Sequence, residues 1–494
     1  MNAAKNLDGP ERAIFSRRTL LKTIATAAAG EVLGAQRLPS TVEVTGTEGS
    51  KIPQEFLGLS FETEELATPE RFSPDNHELV NYFRTLGPQG VLRLGGNATA
   101  YSVWASNAAP EPLLTKAQTQ SVGRDPKLFF PITQTAIDNL GGFLRATGWK
   151  VIYGLNVISV DADTTADEAD HVSAAVGDRL AAFQFGNEPE NLRQGNKRWG
   201  HPLTYEEYIA KWKLYSSAVR ARLPKAPLAG PDTALKLDWV TRFAADVGHD
   251  ITALTTHYYE GPATDPNVNL DFLEHHRGPI DNNISAPLQI AQRLGVPYRL
   301  TEANSFYFGG KAGLSNTFAS ALWGADFMLF LAQKGVAGIN FHGGGEGYYT
   351  HIAESAAKRY SARPLYYGML FARQFLGTTL LGVSLNSPKD LTAYAAQSAQ
   401  DVRIAVFNRE TERVSIDLSV PNLHRQSVAS VWRLKAPSPS ATAGVTLANA
   451  TVSAEGTFKP LANEQLELRN GKAKLGLDAF SAALITINGR LGKL

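Results

Sequence analysis

Leu180–Glu188, LAAFQFGNE, is a short apolar run that ends in polar side chains. Tyr298–Asn304, YRLTEAN, has the same design. Working outward, six more runs follow it: Phe56–Glu62 (FLGLSFE), Val91–Gly96 (VLRLGG), Lys150–Val157 (KVIYGLNV), Pro227–Asp232 (PLAGPD), Ala253–Tyr259 (ALTTHYY) and Val336–Gly343 (VAGINFHG). Most are short, rich in β-branched or aromatic residues and bounded by Gly or Pro, which reads as strand. Between them lie stretches of helical period. Tyr205–Leu223 is opened by Thr204 with Glu207 three residues on, a capping-box pattern. Asn316–Lys334 follows Ser315, and a last helix carries Leu365, Met369, Ala372 and Leu376, with Gly377 as its stop. Strand–helix alternation predicts a parallel sheet of the α/β class. Eight units predict closure into a (β/α)8 barrel over residues 51–376, because an open sheet of that length leaves two long edges.

After Gly377 the helical period stops and short alternating runs take over: Leu391–Ala396, Val402–Phe407, Val414–Val420, Val428–Leu434 and Ala483–Ile487. Leu466 and Leu468 face Leu475 and Leu477 across Asn470-Gly471, a strong hairpin signal. Residues 377–494 therefore read as a C-terminal β-sandwich. No aromatic platform marks it as a sugar-binding module, so it reads as a structural domain braced on the barrel. Residues 39–50 are a linker in which Thr41–Val44 can add a strand to that sandwich. A Pro/Ser/Ala loop spans Ala436–Ala443.

The chain has 494 residues, enough for a barrel of about 250 residues or more plus a smaller domain. Lys+Arg (48) and Asp+Glu (47) nearly cancel, so nothing points to nucleic acid. The absence of cysteine excludes a disulfide framework, a thiolate zinc site and a cysteine nucleophile. Ser16–Lys22, SRRTLLK, followed by the Ala-rich stretch Thr23–Ala35, resembles a twin-arginine export signal. The expectation is that residues 1–38 direct the protein to the periplasm or outside the cell. The stretch falls short of the ~20 apolar residues a span needs, so no membrane span is expected.

In a barrel, reactive groups sit where strands end. The fourth strand ends in Asn187-Glu188-Pro189 and the seventh in Thr301-Glu302-Ala303. A carboxyl pair facing across the mouth is what glycoside hydrolysis needs: one acid protonates the leaving oxygen, and the other attacks or activates water. Glu188 is read as the acid/base and Glu302 as the nucleophile. Asn187 can donate to a sugar 2-hydroxyl, and Tyr258, at the end of the sixth strand, can donate to Glu302. Competing motifs fail. His342-Gly343-Gly344-Gly345 lacks the G-x-S-x-G elbow of an esterase. Gly345-Glu346-Gly347 lacks a phosphate-loop lysine. The His275-His276 pair has no HExxH around it, so no metal and no cofactor are expected.

The pattern of Asn187-Glu188-Pro189 with Glu302 resembles clan A glycosidases. GLSFE (58–62), VLRLGGNA (91–98), FGNEPE (185–190), THYY (256–259), LTEANSFYFGG (300–310) and, more loosely, HGGGEGYY (342–349) resemble glycoside hydrolase family 79, the β-glucuronidase and heparanase group. The resemblance covers most of the chain after the signal. It implies a retaining mechanism and a glucuronate before the scissile bond. It also implies that Tyr307 and Tyr349 contact the sugar carboxylate and that Glu62 accepts from sugar hydroxyls. Gly309 lets the main chain approach the same carboxylate. Arg93 either braces a catalytic carboxylate from beneath or belongs to a buried structural ion pair, and Asn97 is a further sugar contact. The chain departs from mammalian heparanases in carrying Asn97-Ala98 where they have a basic residue after the Gly-Gly pair. With net charge near zero, this favours a bacterial exo-acting member, a monomer releasing glucuronate (with or without a 4-O-methyl group) from a glucuronide-containing glycan. The alternatives are an endo-acting heparanase-like enzyme, a clan A exo-glycosidase for neutral sugars, and a non-catalytic sugar-binding protein, which the intact acid pair argues against. The loops Ala98–Pro131 and Asn191–Pro202 can shape further subsites, the latter with Arg193, Lys197, Arg198 and Trp199 as rim residues.

Overall fold

All eight runs become strands of one closed parallel barrel. In chain order they are Leu57–Glu62, Val91–Gly95, Lys150–Leu155, Leu180–Phe185, Leu228–Thr233, Ala253–Pro262, Tyr298–Tyr307 and Gly338–His342, each hydrogen-bonded to the next and the last to the first. This is a computed structural model describing residues 39–106, 128–191, 203–234, 236–275, 278–345, 347–355, 359–423, 426–461 and 464–489. The export-type segment 1–38 and the loop carrying Arg193, Lys197, Arg198 and Trp199 lie outside the described residues.

Local chemistry sets the helix ends. Thr204 caps Tyr205–Arg222 through a full capping box: its hydroxyl accepts from Glu207 N at 3.2 Å, and the Glu207 carboxylate accepts from Thr204 N at 2.8 Å. Phe318–Lys334 is apolar nearly all round, and a helix of that kind has to be buried on every side. It is wedged between the barrel and the C-terminal domain. The Pro/Ser/Ala loop closes its N-terminus, since Ala441 O and Pro439 O accept from Phe318 N and Ala319 N at 2.8 and 2.9 Å.

The C-terminal β domain is one sheet that closes on itself rather than two separate layers. Going round, its strands are Gln426–Lys435, Glu464–Arg469, Lys472–Leu477, Val414–Ser419, Ser40–Lys51, Thr379–Asn386, Leu391–Gln397, Asp401–Asn408 and Ser481–Asn488, which returns to Gln426–Lys435. Val42, Ile404, Ile416, Val431, Leu475 and Ile485 meet inside it as a second hydrophobic core. Asn470 and Gly471 turn the expected hairpin with φ of 51° and 73°, leaving Arg469 opposite Lys472. Ser40–Lys51 lies between Val414–Ser419 (parallel) and Thr379–Asn386 (antiparallel), so the chain enters this domain before it builds the barrel. Among the described residues no helix is long and apolar enough to cross a membrane.

Candidate active site

The barrel gathers its polar side chains at the C-terminal ends of the strands, around Arg93. This side chain is fully buried on the second strand. Its Nη1 donates to Glu302 Oε2 at 2.7 Å and to Ser60 Oγ at 3.1 Å. Its Nη2 donates to Asp232 Oδ2 and to Asn187 Oδ1, both at 2.6 Å. Arg93 thus does both things the sequence left open: it braces Glu302 and forms a buried ion pair. Burial pulls the guanidinium's pKa down, but Asp232 and then Glu302 outweigh it and raise it above the usual arginine range. The Gly95-Gly96 pair makes room for this. A Cβ on Gly96, whose φ is 76°, would lie 2.2 Å from the Glu62 carboxylate, and one on Gly95 would lie 2.5 Å from the Arg93 guanidinium.

Glu302 is buried and surrounded by donors. Besides Arg93, the Tyr259 hydroxyl donates to its Oε1 at 2.8 Å, and Nδ1 of His257 and of His342 lie 3.9 and 3.8 Å from Oε2. Burial pushes its pKa upward, but His342, His257, Arg93 and the Tyr259 hydroxyl together bring it well below the ordinary carboxylate range. An ionised, donor-clamped carboxylate suits a nucleophile.

Glu188 is placed differently. It ends the fourth strand in a left-handed conformation, φ 39°, and its side chain is 18% exposed, against 10% for Glu302. Glu188 N donates to Asp232 O at 3.0 Å. His257 Nδ1 is 2.8 Å from its Oε1, and Asn191 Nδ2 donates to its Oε2 at 3.2 Å. Glu190 staples the turn in place, accepting from Ala234 N at 2.5 Å. Burial and the nearby Glu188 push Glu190 up to about 8. Oxygens of Glu188 and Glu302 lie within 4.8 Å of each other, with His257 between them. Three such donors can also hold a metal, but Arg93 already shares the Glu302 carboxylate, and both ring nitrogens of His257 face carboxylates.

His257 also links the pair to Asp232, whose Oδ1 is 3.0 Å from His257 Nε2 and accepts from Thr301 Oγ1 and Gln184 Nε2 at 2.5 and 2.6 Å. Burial opposes a charge on His257, but Asp232 and Glu302 outweigh it and raise the imidazole to about 10. Asp232 itself is held well below the carboxylate range, against its own burial, by Arg93 and His257.

One expected contact is corrected. Tyr258 does not reach Glu302. Its hydroxyl donates to Glu260 at 2.9 Å, and its ring packs 5.6 Å from Phe327 in the helix layer. Successive strand residues point to opposite faces, so the inward residues are His257 and Tyr259. Asp232, His257, Tyr259 and His342 are site residues the sequence reading passed over, although each lies in a run it recognised.

The other candidates surround this centre. Asn187 is pinned by Arg93, and its Nδ2 lies 3.3 Å from Asn97 Oδ1. Glu62 accepts from Ala98 N at 2.8 Å and stands 3.6 Å from His342 Nε2. The rings of Tyr307 and Tyr349 flank Tyr259 at 6.1 and 6.2 Å. Gly309, at φ 81°, accepts from Tyr348 N at 2.6 Å and so ties together the loops that carry Tyr307 and Tyr349.

No protein-family model matches the chain. Among curated proteins it is 26% identical over 379 residues to a β-glucuronidase of Aspergillus niger, covering 69% of this chain and 68% of that protein. It is 21% identical over 365 residues to heparanase-like protein 3 of Arabidopsis thaliana, covering 67% and 64%. Among solved structures, a 4-O-α-L-rhamnosyl-β-D-glucuronidase of Fusarium oxysporum superposes with a TM-score of 0.73 at 19% identity, over 90% of this chain and all of that one, and shares its fold. With the paired glutamates at the mouth of the shared barrel, the chain is a glycoside hydrolase, similar to β-glucuronidases and heparanase-like proteins.

Proposed function

We propose that the protein is a retaining exo-β-glucuronidase that removes terminal β-linked glucuronic acid, plain or 4-O-methylated, from a glycan. The carrying observation is the Glu188–Glu302 pair, with oxygens within 4.8 Å, a spacing that suits direct attack rather than an interposed water. In the first step a Glu302 oxygen bonds to C1, the C1–O bond to the leaving group breaks, and Glu188 gives that oxygen its proton. In the second, water bonds to C1, its proton passes to Glu188, and the C1–Glu302 ester breaks. His257, held in its charged form and hydrogen-bonded to Glu188, steadies the carboxylate that Glu188 becomes between the two steps. Arg93 and Tyr259 keep Glu302 ionised and in line.

Tyr307, Tyr349 and the Gly309 main chain are read as the groups that receive the C5 carboxylate. Neutral donors suffice there, because Arg93 is already fully engaged below. Tyr349 stays protonated, since burial and then Glu302 push its hydroxyl upward. The twin-arginine pattern supports export to the periplasm or beyond, with the enzyme acting as a monomer.

The test is a side-by-side measurement of initial rates on p-nitrophenyl β-glucuronide and β-glucoside. A strong glucuronide preference, with the β-anomer of glucuronate as first product by NMR, is expected. Glucoside preference removes the carboxylate reading, and an α-anomer first product removes retention.

A further inference from the structure

Two loops carry the groups read as receiving the sugar carboxylate, Tyr307 to Gly310 after the seventh strand and Gly347 to Tyr349 after the eighth. They meet backbone to backbone. Tyr348 N donates to Gly309 O at 2.6 Å. Gly310, at φ 83°, has no room for a side chain: a Cβ there would lie 2.7 Å from Tyr349 N and 2.9 Å from Ser315 Cβ. Behind the second loop stands a half-buried cation, Arg363, the residue before the helix Pro364–Ala372. Its Nη1 donates to Gly347 O at 3.0 Å, and its main-chain N donates to His351 O at 3.0 Å. Burial pulls its pKa down and Tyr348 pulls it up, and a guanidinium keeps its proton in proteins.

These bonds run in series. Gly347 C=O and Tyr348 N–H belong to one planar peptide unit, and Gly309 C=O and Gly310 N–H belong to the next. The Arg363 charge draws electron density onto Gly347 O and so makes Tyr348 N–H a stronger donor. That donor in turn polarises the Gly309-Gly310 peptide, as hydrogen bonds in a chain do. The chain ends on the Gly310 N–H, with its positive end in the turn that carries Tyr307 and Gly309. A carboxylate gains from that end, whereas an uncharged group of the same shape gains little. The turn does not rest on Arg363 alone. From its other side Lys311 Nζ donates to Asp265 O and Val268 O at 2.6 and 2.9 Å, and Lys311 N donates to Ser315 Oγ at 2.9 Å.

We propose that Arg363 is a specificity-determining positioning residue: without touching the sugar, it makes the neutral turn after the seventh strand prefer a uronate to its uncharged counterpart. The inference rests on the reading that Tyr307, Tyr349 and Gly309 receive the carboxylate. The test measures D-glucuronate and D-glucuronamide as competitive inhibitors of p-nitrophenyl β-glucuronide hydrolysis. It uses the full-length enzyme and its Arg363→Met, Arg363→Gln and Arg363→Lys variants. The acid is expected to bind wild type more tightly than the amide. Either neutral variant should weaken the acid by ~10-fold, the effect of a unit charge ~12 Å away at an effective dielectric constant of about 20, and move the amide by no more than about twofold. Arg363→Lys keeps the charge and should keep most of the preference. An acid-to-amide ratio unchanged in the neutral variants overturns the proposal, because a role limited to holding the loop acts on both inhibitors alike. A preference lost as fully in Arg363→Lys overturns it too, since the charge is retained there. Wild type that cleaves the glucuronide yet binds the acid no better than the amide removes the carboxylate reading itself, and wild type inactive on β-glucuronides removes the glucuronidase reading.

Discussion

One hydroxyl separates Tyr259 from phenylalanine, and it lies 2.8 Å from the nucleophile. Tyr259→Phe is expected to lower kcat by ~10- to 100-fold, the value of a hydrogen bond to a charged group. Its neighbour makes the control: Tyr258→Phe removes only a bond to Glu260 and should leave kcat within about twofold while lowering stability by ~1 kcal/mol. Rate measurements showing the reverse would mean that the strand register is wrong. Glu62 and Glu188 were legible because they stand at or just past a strand end, Glu302 because its apolar run turns polar there, and Arg93, in mid-strand, because a cation in an apolar run calls for a carboxylate partner. Tyr259 was not, because the THYY motif offers two tyrosines and only alternation from an inward residue chooses between them. Asp232, in PLAGPD, stood at an equally visible strand end. Its role depends on register shifts between Pro231 and Thr233, and between Leu300 and Glu302, which bring it beside His257. Such shifts leave no mark in the pattern of apolar residues.

At the scale of elements, the helix Ala162–Val176 carries a buried acid, Glu168, that accepts from the Tyr153 hydroxyl of the third strand at 2.7 Å. Burial raises its pKa to about 7 from 4.5, the tyrosine pulling the other way. In the unfolded chain the carboxyl ionises near 4.5, so between there and about 7 the unfolded state binds fewer protons and stability falls as pH rises. Above that range the deficit is constant at ~3 kcal/mol. Glu168→Gln keeps an acceptor for Tyr153 and has no proton to lose. Urea unfolding should find it more stable than wild type at pH 8 by up to ~3 kcal/mol and equal at pH 4.5. The same gain at both pH values would trace it to packing instead. The sequence marked most strands and helices well, since period and capping are local. It could not mark the closing of the C-terminal sheet, because pairing of Gln426–Lys435 with Ser481–Asn488 is a choice between distant edges that alternation leaves open.

In the whole molecule, Arg409 joins the β domain to the barrel. It is 3% exposed, with Nη2 2.9 Å from Asp326 and Nε 3.6 Å from Glu274. Thr392 and Tyr394 of the β domain also donate to Asp326, at 2.6 and 3.0 Å. Arg409→Met removes a cation from among buried carboxylates and should cost ~3–5 kcal/mol in chemical unfolding, with kcat at 25 °C unchanged. A loss of kcat without loss of stability would mean that the domain acts on the catalytic centre directly. The strand Ser40–Lys51 has a different consequence, for biosynthesis. It is made early, yet its neighbours Thr379–Asn386 and Val414–Ser419 leave the ribosome more than three hundred residues later. Until then the strand waits with both edges unpaired while the barrel forms. A gene fragment starting after the barrel would translate a sheet with a gap where that strand belongs, and such open edges recruit one another in aggregation.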